Sequence, residues 1–519
     1  MYYFVPSYYQ KTGKWRGNSW VWYTNRSMRE FDDIVSQIKM FRSAEKEVTL
    51  VVPCYIPDLR YYLHRQGLSG IRIYSLFDQI QGVFSYAPGL LMWEDLDWPE
   101  DMEWVYTQFL IMGYQDGVHV VNIEFGPESY LLWIDRFEQK EKVCRQIYDD
   151  RGFLSSKIIY RDGREVEQIF YNTYGRKTCT YDLVQGTVLV KGRDGLKKYD
   201  KMEDLVRECI ERYFLEQKKK CGSSRVLVLS ASTFHNRLFL EGSGDIVTIL
   251  SCYSERNTEQ TDIYQIKMAI QGEYKKTPAL VLVDTKELKE KIAENERFIK
   301  IEEISPFDTR LKLGSSQRIR AKKIFLPIQG LNNQREIIKI IAQYMEKNLD
   351  AELVIAFSEP GWGRQEKIEE EIKKLLEELD ITSFSLETKN SPIVENAQQD
   401  EEKVVPARVK VVRYLTEQDV IQQLEDIRLL VDLRDSPELY LQIAAISSGI
   451  PQVNLTQTRY VRHLKNGFLL DSIDELFDSL CYYLDGLSNW NQALVHTVED
   501  IRLYTGGSLV KKIEMLLRK

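Results

Sequence analysis

The stretch SPELYLQIAAISSGIPQVN, residues 436–454, follows directly on IRLLVDLRD, residues 427–435. The earlier segment is a short apolar run of strand length. Ser436 and Pro437 read as a capped helix start, because Ser can accept from the orphan N–H groups of a first turn and Pro tolerates that turn. Small and apolar residues carry the helix to Gly449, a natural stop just past the last turn. Gly449-Ile450-Pro451 then leads into a second strand. Strand, helix and strand in this order form one unit of an α/β nucleotide-binding domain. The start of such a helix normally faces a phosphate, because its N–H groups and dipole favour an anion. The side chains here do not suit that task. Pro437 has no N–H to donate, and Leu439 fills space that a phosphate would need.

The units around this stretch repeat its logic. KKIFLPI, AELVIAF and RVKVVRYL are strands, and NQREIIKIIAQYMEKN, RQEKIEEEIKKLLEEL and EQDVIQQLEDI are helices. Together they predict a Rossmann-like domain over residues 311–490, followed by C-terminal helices over 491–519. The first hundred residues also alternate: YYFVPSY, EVTLVVP and IRIYSLF are strands, and MREFDDIVSQIKMFRSA has helical spacing. The alternation resumes with RVLVLSAS, DIVTILS and PALVLVD. A first Rossmann-like domain is therefore expected in two parts, 1–100 and 216–310. Between them, runs such as GVHVVNIEF and SYLLWIDRF alternate at period two and are divided by turn pairs such as Asp162-Gly163. That predicts an inserted, antiparallel β-rich module over 101–215. The fold class is α/β, with two parallel-sheet domains.

Composition narrows the function. The chain has 519 residues, 43% of them hydrophobic and 29% charged, and a net charge of −8. The longest basic run is Lys218-Lys219-Lys220, so nucleic-acid binding by counterion release is not expected. No stretch approaches the length of a membrane span, and the start MYYFVPSYYQ has no basic region before an apolar run. Seven scattered cysteines without a CxxC pair read as free thiols, and five isolated histidines make a metal centre unexpected. No cofactor and no catalytic residue is assigned.

Several side chains are candidate contacts. The loop KTGKWRGNSWVWY, residues 11–23, follows the first strand. Trp15, Trp20 and Trp22 can stack on sugar rings, with Arg16 and Asn18 supplying hydrogen bonds. Trp20 and Trp22 can equally pack in the core below the loop. Ser230, Ser232 and His235 follow a later strand. A hydrolase pair there would need a Gly-rich nucleophile elbow, which is missing, so a structural or interface histidine is the alternative. Arg434 and Asp435 end a strand, where they can bind a glycan or pair with each other. Trp362, in the turn EPGWGRQEK, can meet a protein partner or pack at a helix start.

Two doubly wound domains in series, closed by C-terminal helices, resemble GT-B glycosyltransferases, whose ligands lie at the carboxyl ends of the strands. Retaining members carry a pattern like E-G-F-G-L-x-x-x-E, then A-x-A-x-G-x-P-V and a later N-G-x-x-G-x-L-V. Here the Gly-x-Pro is Gly449-Ile450-Pro451 and the later piece starts at Asn466-Gly467. With Pro451 as anchor, the two glutamates fall on Ser436 and Ala444, and the glycines on Pro437 and Leu439. The resemblance thus implies a degenerate donor site. Losing two charged hydrogen bonds, at roughly 1.5–3 kcal/mol each, would weaken donor binding by about 10²–10⁴-fold. The phosphate-binding Arg and Lys of the family are not evident in PIQGLNNQRE either.

The idiosyncratic start MYYFVPSYYQ…W…GNSWVW, the β-rich insertion and the degenerate DLRDSPELYLQIAAISSGIPQVN resemble, end to end, the first of the accessory secretory proteins of the accessory Sec system in streptococci and staphylococci. That resemblance implies a non-catalytic cytosolic protein, possessing no transmembrane segment but able to sit at the membrane through the export machinery. It implies two companion accessory secretory proteins, an accessory SecA-type motor ATPase and a glycosylated serine-rich repeat adhesin as partners. Two other readings stand beside it: an active transferase extending an N-acetylglucosamine-containing glycan, and a regulatory subunit of such a transferase.

Overall fold

The computed structural model describes residues 1–9, 15–17, 19–23, 32–84, 89–192, 195–221, 225–257, 259–293, 299–310, 312–329, 334–359, 363–387 and 405–518. The chain forms two compact units, and the GT-B-like architecture is present, with one parallel sheet in each.

In the first unit, the strand Tyr2–Val5 lies inside a seven-stranded parallel sheet. Val48–Val52 and then Arg72–Ser75 lie on one side of it, and Val226–Ser230, Val247–Cys252, Leu280–Val283 and Ile301–Glu303 follow on the other. Tyr3, Phe4 and Val5 are fully buried, as expected for a strand with helices on both faces. The chain turns from one side of the sheet to the other between Tyr2–Val5 and Val226–Ser230, so the loops after Val5 and Ser230 meet at the topological switch point.

The excursion from Arg72–Ser75 to Val226–Ser230 contains the β-rich module. It is a separate sheet of ten antiparallel strands, from Glu103–Tyr106 to Gly195–Tyr199, each paired with its neighbours in sequence. Asp162 and Gly163 join two of them with φ of 50° and 72°, the twist that two-residue hairpins favour. Inward residues of the module, Ile147, Ile158, Phe170 and Val188, share one buried cluster with Tyr55, Phe77 and Leu205. A smaller cluster around Trp93, Ile123 and Ile134 lies farther along the module.

The second unit has its own seven-stranded parallel sheet, with Lys322–Pro327 at its centre. Ala351–Phe357, Ala407–Arg413 and Ser385–Leu386 extend it on one side, and Ile427–Asp432, Gln452–Asn454 and Gly467–Leu469 on the other. Its switch point lies between Lys322–Pro327 and Ile427–Asp432. No helix among the described residues is long and apolar enough to cross a membrane.

One boundary differs from the sequence expectation. The helix of the opening stretch runs Leu439–Ser448, and its N-cap is Glu438 with φ −71° and ψ 114°. Ser436 and Pro437 lie before it, and Ser436 is exposed. The physical reason is Asp432, whose carboxylate reaches forward from the strand end and accepts from the Glu438 N–H at 3.1 Å. That bond anchors the residue before the first turn, and the helix starts at Leu439 without a side-chain cap. Gly449 does take the left-handed C-cap conformation, with φ 75°.

Candidate functional site

In the second unit, a buried network of side chains surrounds the start of the helix Leu439–Ser448. Arg434 donates from Nε and Nη2 to the two oxygens of Asp432, both at 2.7 Å. Tyr414 donates its hydroxyl to Glu438 Oε2 at 2.7 Å, and Arg434 Nη2 lies 3.7 Å from the same oxygen. The Asp432 and Glu438 side chains are 1% and 3% exposed, and that of Arg434 is 8% exposed. Burial works to lower the Arg434 pKa, but its bonds to Asp432 outweigh this and raise it. Two carboxylates thus stand at the helix start, and the Arg434 head group stays inside the network they form.

The helix behind this network is built for packing. All ten of its residues are buried, Ala444 and Leu439 included, and it lies against the helices Glu417–Leu424 and Leu487–Leu503. A carboxylate at position 444 would enter an apolar interior. The Asn466-Gly467 pair is structural as well. Asn466 donates to the Tyr460 carbonyl at 2.8 Å and to Asp500 at 2.9 Å. A Cβ on Gly467 would lie 2.4 Å from the Gln452 carbonyl. Residues 330–333 of PIQGLNNQRE, and Trp362, lie outside the described residues.

In the first unit, the loop after the first strand is tied to both sheets. Trp15 is 7% exposed and its ring lies 4.6 Å from that of Phe234, so it holds the loop from beneath. Gly17 donates to the Tyr55 carbonyl at 2.8 Å. Arg16 forms a two-pronged ion pair with Glu165 of the module, and Tyr160 donates to the same carboxylate at 3.2 Å. Ser19 donates to Asp58 at 2.9 Å, and burial raises the Asp58 pKa to about 7 against these hydrogen bonds. Trp20 is half-buried, whereas Trp22 is 49% exposed and donates its ring N–H to the Phe109 carbonyl. Asn18 lies outside the described residues.

Arg16, Ser19, Trp20 and Glu165 line a cavity of about 190 Å³ whose far wall is Trp133 and Arg145. The Arg145 guanidinium stacks 4.1 Å from the Trp133 ring and is held by Asp135 through two bonds of 2.7 Å. The sequence reading missed Trp133, Arg145 and Glu165. The signal was there in the alternation: Asp135 and Arg145 are directly paired across neighbouring strands, which puts two charges on one face. His235 is fully buried and bonds through Nε2 to the Ser230 carbonyl at 2.8 Å, while Ser230 Oγ meets Ser7. These bonds hold the strand end.

The comparisons with known proteins settle the family. The model of the accessory Sec system protein family, in its branch for accessory secretory protein 1, matches residues 1–519. The chain belongs to that family. A Streptococcus gordonii member is 36% identical over 538 residues, spanning 100% of this chain and 99% of the relative. The solved structure of accessory secretory proteins 1, 2 and 3 from Streptococcus pneumoniae contains a chain 30% identical, with a TM-score of 0.81, covering 100% of this chain and 99% of that one. The pneumococcal O-GlcNAc transferase GtfA, solved with UDP and GlcNAc, is 12% identical with a TM-score of 0.68, covering 100% and 98%. That last likeness concerns the fold alone. As a member of the family, this chain is an accessory Sec system component built on a glycosyltransferase scaffold.

Proposed function

We propose that this chain is a non-catalytic component of the accessory Sec export system that assembles with two companion accessory secretory proteins and binds glycosylated serine-rich repeat adhesin. The accessory SecA-type motor ATPase receives the adhesin from this assembly at the membrane. The observation that carries the loss of catalysis is the filled helix start. A diphosphate at that helix would meet the carboxylates of Asp432 and Glu438. Arg434 offsets one of the two carboxylates, so the cluster keeps a net negative charge that disfavours a diphosphate. The proposed glycan contacts are on the other unit, at Arg16, Asn18 and Trp20, with Trp15 supporting the loop. Companion chains of the export complex fit the family membership and the solved complex of a relative's accessory proteins 1, 2 and 3.

The test is incubation of the purified protein with UDP-N-acetylglucosamine and glycosylated adhesin, read by intact mass. No donor-dependent mass gain is expected, together with tighter retention of glycosylated than of bare adhesin. A mass gain that disappears in a Leu439→Glu variant would establish the active-transferase reading instead.

A further inference from the structure

The last hairpin of the β-module, Val188–Gly192 and Gly195–Tyr199, and the helices Leu76–Gln81 and Met202–Cys221 together line a cavity of about 650 Å³. That volume lies in the range of about 300–1,000 Å³ that takes small organic ligands. Its cause is local. Val190 pairs with Lys197, and Gly192 with Gly195. Residues two apart share one face of a strand, and Val190 packs against the core, so the next position on that face is a glycine opposite a glycine. A Cβ on Gly192 would meet only the Gly195 carbonyl, at 3.6 Å, and one on Gly195 would meet nothing within 4 Å. The end of the hairpin therefore leaves its space unfilled. Behind it, Ile80, Leu205 and Cys209 are buried and make an apolar floor.

The charges in the walls are unbalanced. Lys197 and Tyr199 both bond to Glu208, so that carboxylate is already satisfied. Arg212 is exposed, and its Nη2 has only the Cys209 sulfur, at 3.7 Å. Burial pushes that thiol up to about 11, so it is neutral at physiological pH and a weak acceptor. Among the described residues, neither Arg212 nor Lys191 has a carboxylate partner. Three cations against one carboxylate thus line the cavity, on a chain whose net charge is −8. An arginine fork matches the two oxygens of a carboxylate, and the apolar floor favours a hydrocarbon or aromatic body that displaces its water.

We propose that this cavity binds a small organic carboxylate with an apolar body, its two oxygens on the Arg212 guanidinium and its body against Ile80, Val190 and Leu205. The ligand would bridge the hairpin and the two helices, all within the first unit. The inference goes beyond the export reading and does not depend on it.

The experiment is calorimetric titration of the whole protein with phenylbutyrate, phenylbutyramide, acetate and phenyl phosphate. Phenylbutyrate should bind at least tenfold more tightly than its neutral amide and than acetate, which keeps the charge without the body. Arg212→Gln, a change at an exposed site, should weaken phenylbutyrate about tenfold or more. Gly192→Leu should abolish binding by filling the cavity while Arg212 stays in place. Equal binding of acid and amide, no binding to the wild type, or unchanged binding in Arg212→Gln would overturn the proposal, whether or not Gly192→Leu folds. Tighter binding of phenyl phosphate than of phenylbutyrate, lost in Arg212→Gln, would overturn the carboxylate assignment.

Discussion

Replacing Asp432 by Asn takes away the counter-charge of Arg434 and one of the two oxygens that accept from Arg434 and the Glu438 N–H. Breaking a buried ion pair by removing one partner costs about 3–5 kcal/mol. Glu438, 3.7 Å from Arg434, recovers part of that, so Asp432→Asn should lower the unfolding free energy by about 3 kcal/mol in urea titrations. Asp435→Asn, on an exposed neighbour, should change it little. His235 makes a prediction about pH. Its ordinary value is about 6.5, and burial pushes it down to about 3. Between those values the unfolded chain takes up a proton that the fold refuses. The His235 contribution is therefore complete above pH 6.5 and is lost as pH falls toward 3. Asp58, raised to about 7 by burial, works in the opposite sense: its contribution is lost as pH rises through 7. The measurement is thus the melting temperature of wild type minus that of His235→Gln. It should be positive at neutral pH and shrink steadily on acidification. A constant difference would mean that the imidazole titrates alike in the folded and unfolded chain. Neither residue announced these roles in the sequence. Asp432 reads as the polar end of a strand, and burial of a lone histidine depends on contacts far along the chain.

At the level of elements, the helix Leu439–Ser448 shows what was legible and what was not. Its existence, its length and its stop at Gly449 followed from small apolar residues and a glycine. Its start did not, because Asp432 on the preceding strand anchors the Glu438 N–H, and local capping preferences do not register an anchor six positions back. The stop itself is testable. Gly449 has φ 75°, and a Cβ there would lie 2.5 Å from Leu494 Cδ1. Left-handed backbone costs an L-residue about 1–2 kcal/mol, so Gly449→Ala should destabilise by at least that much in thermal or urea unfolding, and a neutral result would mean the helix ends elsewhere. The module shows the opposite balance. Its strands and turns were readable one by one from period-two alternation. The wall made of Trp133, Arg145 and Glu165 was not, since it needs the register between strands and the docking of the loop 15–20 against them.

On the scale of the whole molecule, the two parallel sheets were legible because strand and helix alternate on either side of the β-rich module. Partner surfaces left no such pattern, since a surface is assembled from residues distant in sequence. If the assembly proposed above is right, this chain mixed with its two companion accessory proteins should elute as one species in size-exclusion chromatography with light scattering, and separate elution of all three would count against it. The interior strand Tyr2–Val5 has a further consequence, for biosynthesis. It pairs on one side with Val48–Val52 and on the other with Val226–Ser230. At about 5–20 residues per second, a ribosome needs roughly ten to forty-five seconds to deliver the second partner after the first strand has emerged. The ten-stranded meander lies wholly within that interval and pairs only neighbours, so its loops close early and cheaply. The nascent chain therefore carries a finished β-module while its earliest strand still has an open edge, and a chaperone that shields Tyr2–Val5 during that wait would act on the stage most exposed to aggregation.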